Sequence, residues 1–151
     1  MKIKVLCVGN IKNDEYYRLG SEYIKRLGRY LPISIHEIRA EKIQKNAKKI
    51  EAERIISFLK GKDCFTIAMC EEGKNLSSNE FSRLLKEKTF DTKEICFIIG
   101  GTDGLDDNIK KSSNLRLSLS KMTFTREMAW FILLEQIYRA VKIMHGEPYH
   151  R

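Results

Sequence analysis

The fold is decided by the stretch Glu94-Ile-Cys-Phe-Ile-Ile-Gly-Gly-Thr-Asp-Gly-Leu105. Its first half is apolar at successive positions, which is typical of a strand buried on both faces of a parallel sheet. Gly100, Gly101 and Gly104 follow directly, and glycine at a strand end lets a ligand approach the backbone closely. The alternative is a tight turn from strand to helix. The spacing is neither that of a Rossmann fingerprint nor that of a P-loop.

Strands and helices alternate on both sides of this stretch. The patterns predict strands over 3–8, 33–38, 65–70, 94–99 and 115–119. They predict helices over 14–27, 44–59, 77–88, from 106 or 107 to 112, and 126–145. A polar turn, Glu71-Glu-Gly-Lys74, is expected after the third strand. This alternation predicts an α/β fold with a mostly parallel sheet flanked by helices. The length fits a single domain spanning residues 1–151.

The composition is that of a globular protein with a basic surplus. Twenty-eight Lys and Arg residues against twenty Asp and Glu residues give a formal charge of +8. Such a surplus attracts polyanions, of which nucleic acid is the commonest. The basic residues form two groups, over 42–54 and 110–126, rather than a tail. By itself this charge is only a mild indication of RNA or DNA.

No pattern predicts a metal site or a membrane segment. The four cysteines form no Cys-x-x-Cys pair and have no zinc-type spacing with histidine. The N-terminus has too few successive apolar residues for a signal peptide. The apolar run from Met128 to Leu134 is far shorter than the roughly 20 residues that a bilayer requires. We therefore expect a soluble, cytoplasmic protein without a metal or a membrane partner.

The predicted helix over 126–145 is apolar around most of its circumference. Its polar residues are confined to a narrow stripe that includes Glu135, Arg139 and Lys142. The core of one domain covers one face of a surface helix. So wide an apolar girdle favours a homodimer in which a second subunit covers the rest. The alternative is a helix at the centre of the fold.

Four stretches of the second half carry a resemblance to a known family. They are Phe97-Ile-Ile-Gly-Gly-Thr-Asp-Gly-Leu105, Leu117-Ser-Leu-Ser-Lys-Met-Thr-Phe124, Glu135-Gln-Ile-Tyr-Arg-Ala140 and Gly146-Glu-Pro-Tyr-His-Arg151. They resemble the RlmH family of small SPOUT methyltransferases, which act on N3 of a pseudouridine in 23S rRNA. Lys4-Val-Leu-Cys-Val-Gly9, Tyr23-Ile-Lys-Arg-Leu27 and Cys70-Glu-Glu-Gly-Lys74 are also similar, so the resemblance spans the whole chain.

The resemblance implies a fold, a cofactor and partners. The fold is the knotted SPOUT (α/β trefoil-knot) fold, and the enzyme is a homodimer. The methyl donor is S-adenosyl-L-methionine (SAM), with no metal, and the substrate is 23S rRNA on the assembled ribosome rather than DNA. Carried over by position, the SAM contacts are Met69, Gly100, Leu119, Ser120, Lys121, Met122, Thr123 and Phe124.

The chemistry requires a group that assists loss of the N3 proton. A general base could remove it, or a cation could stabilise the resulting anion. Our hypothesis assigns this work to Arg139, Tyr149 and His150. The C-terminal tail of one subunit would then complete the site of the other.

The sequence departs from the family pattern after Phe124. The family continues with Pro-His and has an arginine four residues after that histidine. Thr125, Arg126 and Trp130 occupy those positions here. An arginine at 126 could contact RNA or phosphate in place of the histidine. Two alternatives stay open: a SPOUT methyltransferase that acts on another RNA such as tRNA, and a non-enzymatic α/β module that binds RNA.

Overall fold

Strands and helices alternate along the chain in a computed structural model that describes residues 1–11, 15–42 and 44–151. The strands are β1 (Lys2–Val8), β2 (Ile33–Ile38), β3 (Phe65–Asn75), β4 (Glu94–Ile99) and β5 (Leu115–Ser118). The helices are α1 (Glu15–Leu27), α2 (Ala47–Leu59), α3 (Ser78–Asp91), α4 (Asp107–Ser112) and α5 (Arg126–Met144). The predicted α/β order is confirmed. The predicted start of α1 at 14 lies outside the described residues.

The five strands form one sheet in the order β2-β1-β4-β3-β5, and all four pairings are parallel. Alternate residues of the central strand β4 face opposite sides. Phe97 belongs to the larger cluster, which β4 shares with α1, α3 and α5. Ile98 belongs to the smaller cluster, which it shares with α2 and α4. Helices on both faces explain why β4 is apolar at every position from 95 to 99.

The predicted polar turn at Glu71–Lys74 is wrong. β3 continues through this segment to Asn75 and pairs with β5 on both sides of it, at 67–69 and at 74–75. Both Met69 and Lys74 are opposite Leu117, so the intervening residues form an irregularity in the strand. Gly73 lies on the backbone of Leu117, where an added Cβ would be 2.7 Å from the Leu117 nitrogen. Polar residues can extend β3 because this end of the strand is largely exposed.

Side-chain caps mark the start of α3 and α4 but not of α2. Ser77 forms the predicted capping box with Glu80 at the start of α3. Asp106 caps α4 by accepting a hydrogen bond from the Asn108 nitrogen. α2 begins at Ala47, three residues after the predicted position, and its N-cap Asn46 makes no side-chain cap hydrogen bond.

Helix α5 packs between α1 and α3 on one face of the sheet. Trp130, Leu133, Leu134, Ile137 and Val141 are fully buried within one chain. The central-helix alternative therefore accounts for most of the apolar girdle. The homodimer stays a prediction and needs support from another feature.

No helix among the described residues is long and apolar enough to cross a bilayer. The trefoil knot concerns the threading of the chain and also stays a prediction.

Candidate active site

A pocket of about 360 Å³ opens where β3, β4 and β5 end. In a parallel sheet the loops at the carboxyl ends of the strands are the usual place for a ligand. β3 contributes Met69, Cys70, Glu71 and Glu72, at the start of its irregular segment. The remaining lining residues are Ile99, Gly100, Gly101, Thr102, Asp103, Gly104, Leu105, Lys110, Leu119, Ser120, Met122, Thr123, Phe124, Arg126 and Ala129.

The residues assigned to the cofactor meet at this pocket with one exception. Met69, Gly100, Leu119, Ser120, Met122, Thr123 and Phe124 all line it. Lys121 belongs to the same loop, but its side chain is exposed and does not line the pocket. Met122 is 76% exposed and therefore lies at the pocket mouth.

The glycines after β4 form a tight turn. The Gly104 nitrogen donates to the Gly101 oxygen at 3.1 Å, and Gly104 has a φ of +76°. An added Cβ on Gly100 would lie 2.5 Å from the carbonyl carbon of Gly104. Gly100 is therefore required by the chain itself, which is the tight-turn alternative. The turn nevertheless presents peptide groups to the pocket, since each of its residues lines it.

The loop after β5 is held by its own hydrogen bonds. The Ser118 hydroxyl donates to the Ser120 carbonyl oxygen at 2.7 Å. The Met122 nitrogen donates to Ser120 Oγ at 3.0 Å. Thr123 Oγ1 donates to the Glu71 carboxylate across the pocket. The pocket walls are thus connected to each other without a ligand.

Charged groups surround the apolar part of the pocket. Glu72 and Lys110 form an ion pair, which holds the pKa of the Glu72 carboxyl below its ordinary value and raises the pKa of the Lys110 ammonium. Burial raises the pKa of the Cys70 thiol, so Cys70 is a neutral wall residue rather than a nucleophile.

These residues fit SAM. Met69, Leu119 and Phe124 offer apolar contacts for an adenine ring, and Glu71 offers a carboxylate for cationic groups. Arg126 Nε is buried without an acceptor among the described residues. Such a donor would be satisfied by the carboxylate of a ligand.

Arg126 and Trp130, the two departures from the family pattern, have structural partners. Arg126 donates to the carbonyl oxygens of Val8 at 3.1 Å and Asn10 at 3.2 Å, and it pairs with Glu127. These bonds tie the start of α5 to the end of β1. They engage both terminal nitrogens of Arg126 within the chain, so neither is free for the RNA or phosphate contact expected from the sequence.

Trp130 is fully buried and stacks on Tyr17 with ring centroids 5.7 Å apart. Its ring lies over Gly20, where an added Cβ would be 2.3 Å from Trp130 Cζ3. The residue at this position is thus part of the core between α1 and α5.

The three predicted catalytic residues lie together. His150 Nδ1 is 3.5 Å from Arg139 Nη1, and the Arg139 guanidinium is 4.7 Å from the centroid of the Tyr149 ring. Glu135 belongs to the same cluster, although no catalytic role was predicted for it from the sequence. It accepts from Arg139 at 2.6 and 3.1 Å and from the Tyr149 hydroxyl at 3.1 Å. The i, i+4 spacing of Glu135 and Arg139 could have indicated the pair.

The C-terminal tail is attached to the fold. Glu147 accepts from the Tyr30 hydroxyl at 2.9 Å and pairs with Lys142. The Tyr149 ring packs edge-on against Tyr138 at 4.9 Å. Burial, with hydrogen bonds to Tyr23 and Glu135, raises the pKa of the Tyr149 phenol well above its ordinary value. Tyr149 is therefore a protonated hydrogen-bond donor at neutral pH.

The pocket and the tail cluster occupy opposite ends of α5. Arg126 begins the helix at the pocket, and Arg139 is thirteen residues further along the helix. At 1.5 Å per residue this is about 20 Å. The tail meets Tyr30, which precedes β2, at the amino edge of the sheet. Arg139, Tyr149 and His150 thus do not meet the pocket of their own chain.

Comparison with known proteins agrees with this architecture. The family described as "Predicted SPOUT methyltransferase" matches residues 1–150. The ribosomal RNA large subunit methyltransferase H of Dictyoglomus thermophilum is 45% identical, with 99% of each chain covered. The protein of that name from Streptococcus equi subsp. zooepidemicus is 41% identical, with 100% of each chain covered.

A solved structure, that of a probable methylase family protein from Haemophilus influenzae, superposes with a TM-score of 0.55 at 11% identity. The superposition covers 99% of this chain and 70% of that one, and it supports the fold alone. The SPOUT fold expected from the sequence is confirmed. This chain therefore belongs to the SPOUT methyltransferase family, among the proteins called ribosomal RNA large subunit methyltransferase H.

Proposed function

We propose that the protein is a homodimeric, SAM-dependent methyltransferase that methylates N3 of a pseudouridine in 23S rRNA on the assembled ribosome, in the cytoplasm. The observation that carries the proposal is the pocket at the ends of β3, β4 and β5, where the residues assigned to SAM converge. The names of the full-length relatives support the rRNA substrate.

The pocket residues would hold SAM by backbone and apolar contacts. The turn after β4 and the loop after β5 offer peptide groups to the adenine edge, and Phe124 offers an apolar wall. Arg126 Nε is available for the carboxylate. When bound, the cofactor supplies a methyl group activated by its sulfonium. The role of these residues is to align that group with the acceptor, and alignment supplies much of the acceleration of an in-line displacement.

The tail cluster would prepare the acceptor. Methylation at N3 would require that the N3 proton leave. Arg139 is a cation at neutral pH, and its hydrogen bond to Glu135 raises its pKa further. It can stabilise the negative charge that develops on the pyrimidine. Tyr149 donates a hydrogen bond, and the exposed His150 is our candidate for the proton acceptor.

A second subunit would bring the two parts of this chemistry together. Arg126 and Arg139 are about 20 Å apart along α5, and none of the three tail-cluster residues lines the pocket of its own chain. The tail would therefore serve the pocket of the partner. An apolar surface on α1 and α5 is available for pairing. Leu19 is 48% exposed there, and Phe131 has ring neighbours in Tyr16 at 6.0 Å and Tyr23 at 5.8 Å.

The activity is tested by methyl transfer from radiolabelled SAM to assembled ribosomes, isolated subunits and tRNA. The expected product is N3-methylpseudouridine in 23S rRNA of ribosomes, located by mass spectrometry. Label in tRNA alone would contradict the proposed substrate. Calorimetry that detects no SAM binding would instead favour a non-enzymatic RNA-binding module.

The shared site is tested by mixing two inactive chains. Leu119→Arg places a bulky cation in the pocket, and His150→Ala removes the candidate proton acceptor. Differently tagged chains are co-expressed and the mixed dimer is purified. If the tail serves the partner, one of its two sites is intact, and about half of the wild-type activity returns. A mixed dimer as inactive as the two parents would show that each site is built from one chain.

Removal of the tail after Pro148 should abolish methylation while SAM binding persists.

A further inference from the structure

A second cavity adjoins the proposed SAM pocket. This cavity, of about 610 Å³, lies between the end of β3, the end of α4 and β5. Glu72 and Lys110 line both cavities, so their ion pair forms a shared wall. We call the second cavity the basic groove, because its other charged residues are Lys74, Lys111 and Arg116.

The cations of the basic groove are of two kinds. Lys110 is paired with Glu72. Lys74, Lys111 and Arg116 are exposed, and none of the ion pairs or side-chain hydrogen bonds found in residues 1–11, 15–42 and 44–151 involves them. Three positive charges therefore line one concave surface, and Glu72 is the one acid among the described residues that line it. Lys74 also lines a neighbouring cavity with Glu80.

The local fold brings these charges together. Lys74 is part of β3 because that strand continues through its irregular segment beside β5. Gly73 also lines the groove. A residue with a side chain does not fit at this position, because its Cβ would overlap the Leu117 backbone. A cation on an edge strand can also serve to deter pairing with other strands. That explanation covers Arg116 on β5 but not Lys111 on a helix.

We propose that the basic groove binds the phosphodiester backbone of the RNA beside the target nucleotide. The proposal rests on the RNA substrate proposed above. Lys and Arg contacts to phosphate position a nucleic acid without reading its sequence. Because the groove shares a wall with the SAM pocket, a strand held there passes the pocket mouth and helps to place the target base. None of the three open cations lines the SAM pocket itself.

The test compares two triple variants of the homodimer with the same loss of charge. The groove variant is Lys74→Gln, Lys111→Gln, Arg116→Gln. The control is Lys45→Gln, Lys48→Gln, Lys49→Gln, which changes lysines at the start of α2 and outside both cavities. For each protein the affinity for its ribosomal substrate is measured against salt concentration, together with KM, kcat and SAM affinity.

The groove variant should lower the slope of log affinity against log salt by about two, since each contact to single-stranded phosphate contributes roughly 0.7. Its KM for ribosomes should rise about ten-fold or more, the order expected when several phosphate contacts are lost. SAM affinity and kcat should stay near the wild-type values. The control should change slope and KM much less.

Equal effects of both variants would overturn the proposal, because the charges would then act only through the long-range field. An unchanged KM and slope in the groove variant would overturn it as well. SAM affinity reports whether each variant is folded, and Lys111→Glu alone offers a smaller change with the same expected direction. If the wild-type protein methylates no RNA, the proposed function itself fails, and that outcome is separate from either result for the groove.

Discussion

Gly20 and Trp130 show how a single residue pair decides the packing of two helices. Gly20 lies within α1 and is buried, and the Trp130 ring occupies the space where its side chain would be. Neither role could be predicted, because the two residues are far apart in sequence and become neighbours only when α1 packs on α5. Gly100 is similar, since its close neighbour is the chain four residues later.

Gly20→Ala should therefore destabilise the protein. Alanine favours a helix over glycine by about 1 kcal/mol, but its Cβ would lie 2.3 Å from a rigid buried ring. Overpacking of a core costs about 1–3 kcal/mol, so we expect a net loss of free energy of unfolding in urea titration. The control is Gly28→Ala, whose Cβ has its nearest neighbours at 3.5 Å. A Gly20→Ala protein as stable as the control would contradict this account of the contact.

At the scale of elements, periodicity predicted most strands and helices to within a few residues, because their buried faces are apolar. The end of β3 was missed because Glu71, Glu72 and Lys74 are typical of a turn, whereas the strand resumes its pairing with β5 at Lys74 and Asn75. The resemblance assigned seven of the pocket-lining residues, and most of the others became apparent only in the structure. Glu135 was missed because its role depends on the tail folding back against α5.

The attachment of the tail should depend on pH through Glu147. Hydrogen bonds from Lys142 and then Tyr30 lower the pKa of the Glu147 carboxyl from its ordinary 4.5. The bonds therefore stabilise the attached tail at neutral pH, and this contribution is lost as pH falls below 4.5 through the lower native value. NMR signals of the Tyr149 ring should shift in that range toward those of a mobile tail.

Glu147→Gln should remove this titration, whereas Glu87→Gln, at an exposed position of α3, should keep it. If the Tyr149 signals move identically in both variants, another acid controls the tail.

At the scale of the whole molecule, the apolar girdle of α5 is a feature that sequence alone could not assign. A helix covered by a partner subunit and a helix covered by neighbours in its own chain show the same apolar pattern. Here α1 and α3 cover most of it. What favours a dimer is instead the separation of pocket and tail, together with the exposed Leu19 on α1.

Leu19→Glu should convert the proposed dimer to a monomer, because it places a charge in the apolar surface of α1 and α5. Methylation should be lost while SAM still binds, and sedimentation measures the change of mass. Ile56→Glu is the matched control, since Ile56 is 52% exposed on α2, on the other face of the sheet. A Leu19→Glu protein that stays dimeric and active would exclude this surface as the interface.

The placement of pocket and tail at opposite edges of the sheet has a further consequence for the proposed dimer. In that dimer, a newly synthesised chain would have half of each of two active sites and none that is complete. It would bind the methyl donor but would not transfer the methyl group until it found a partner. At concentrations below the dimer dissociation constant, the methylation rate should rise with the square of the protein concentration. Assembly would thus act as a checkpoint that keeps unpaired chains from modifying RNA.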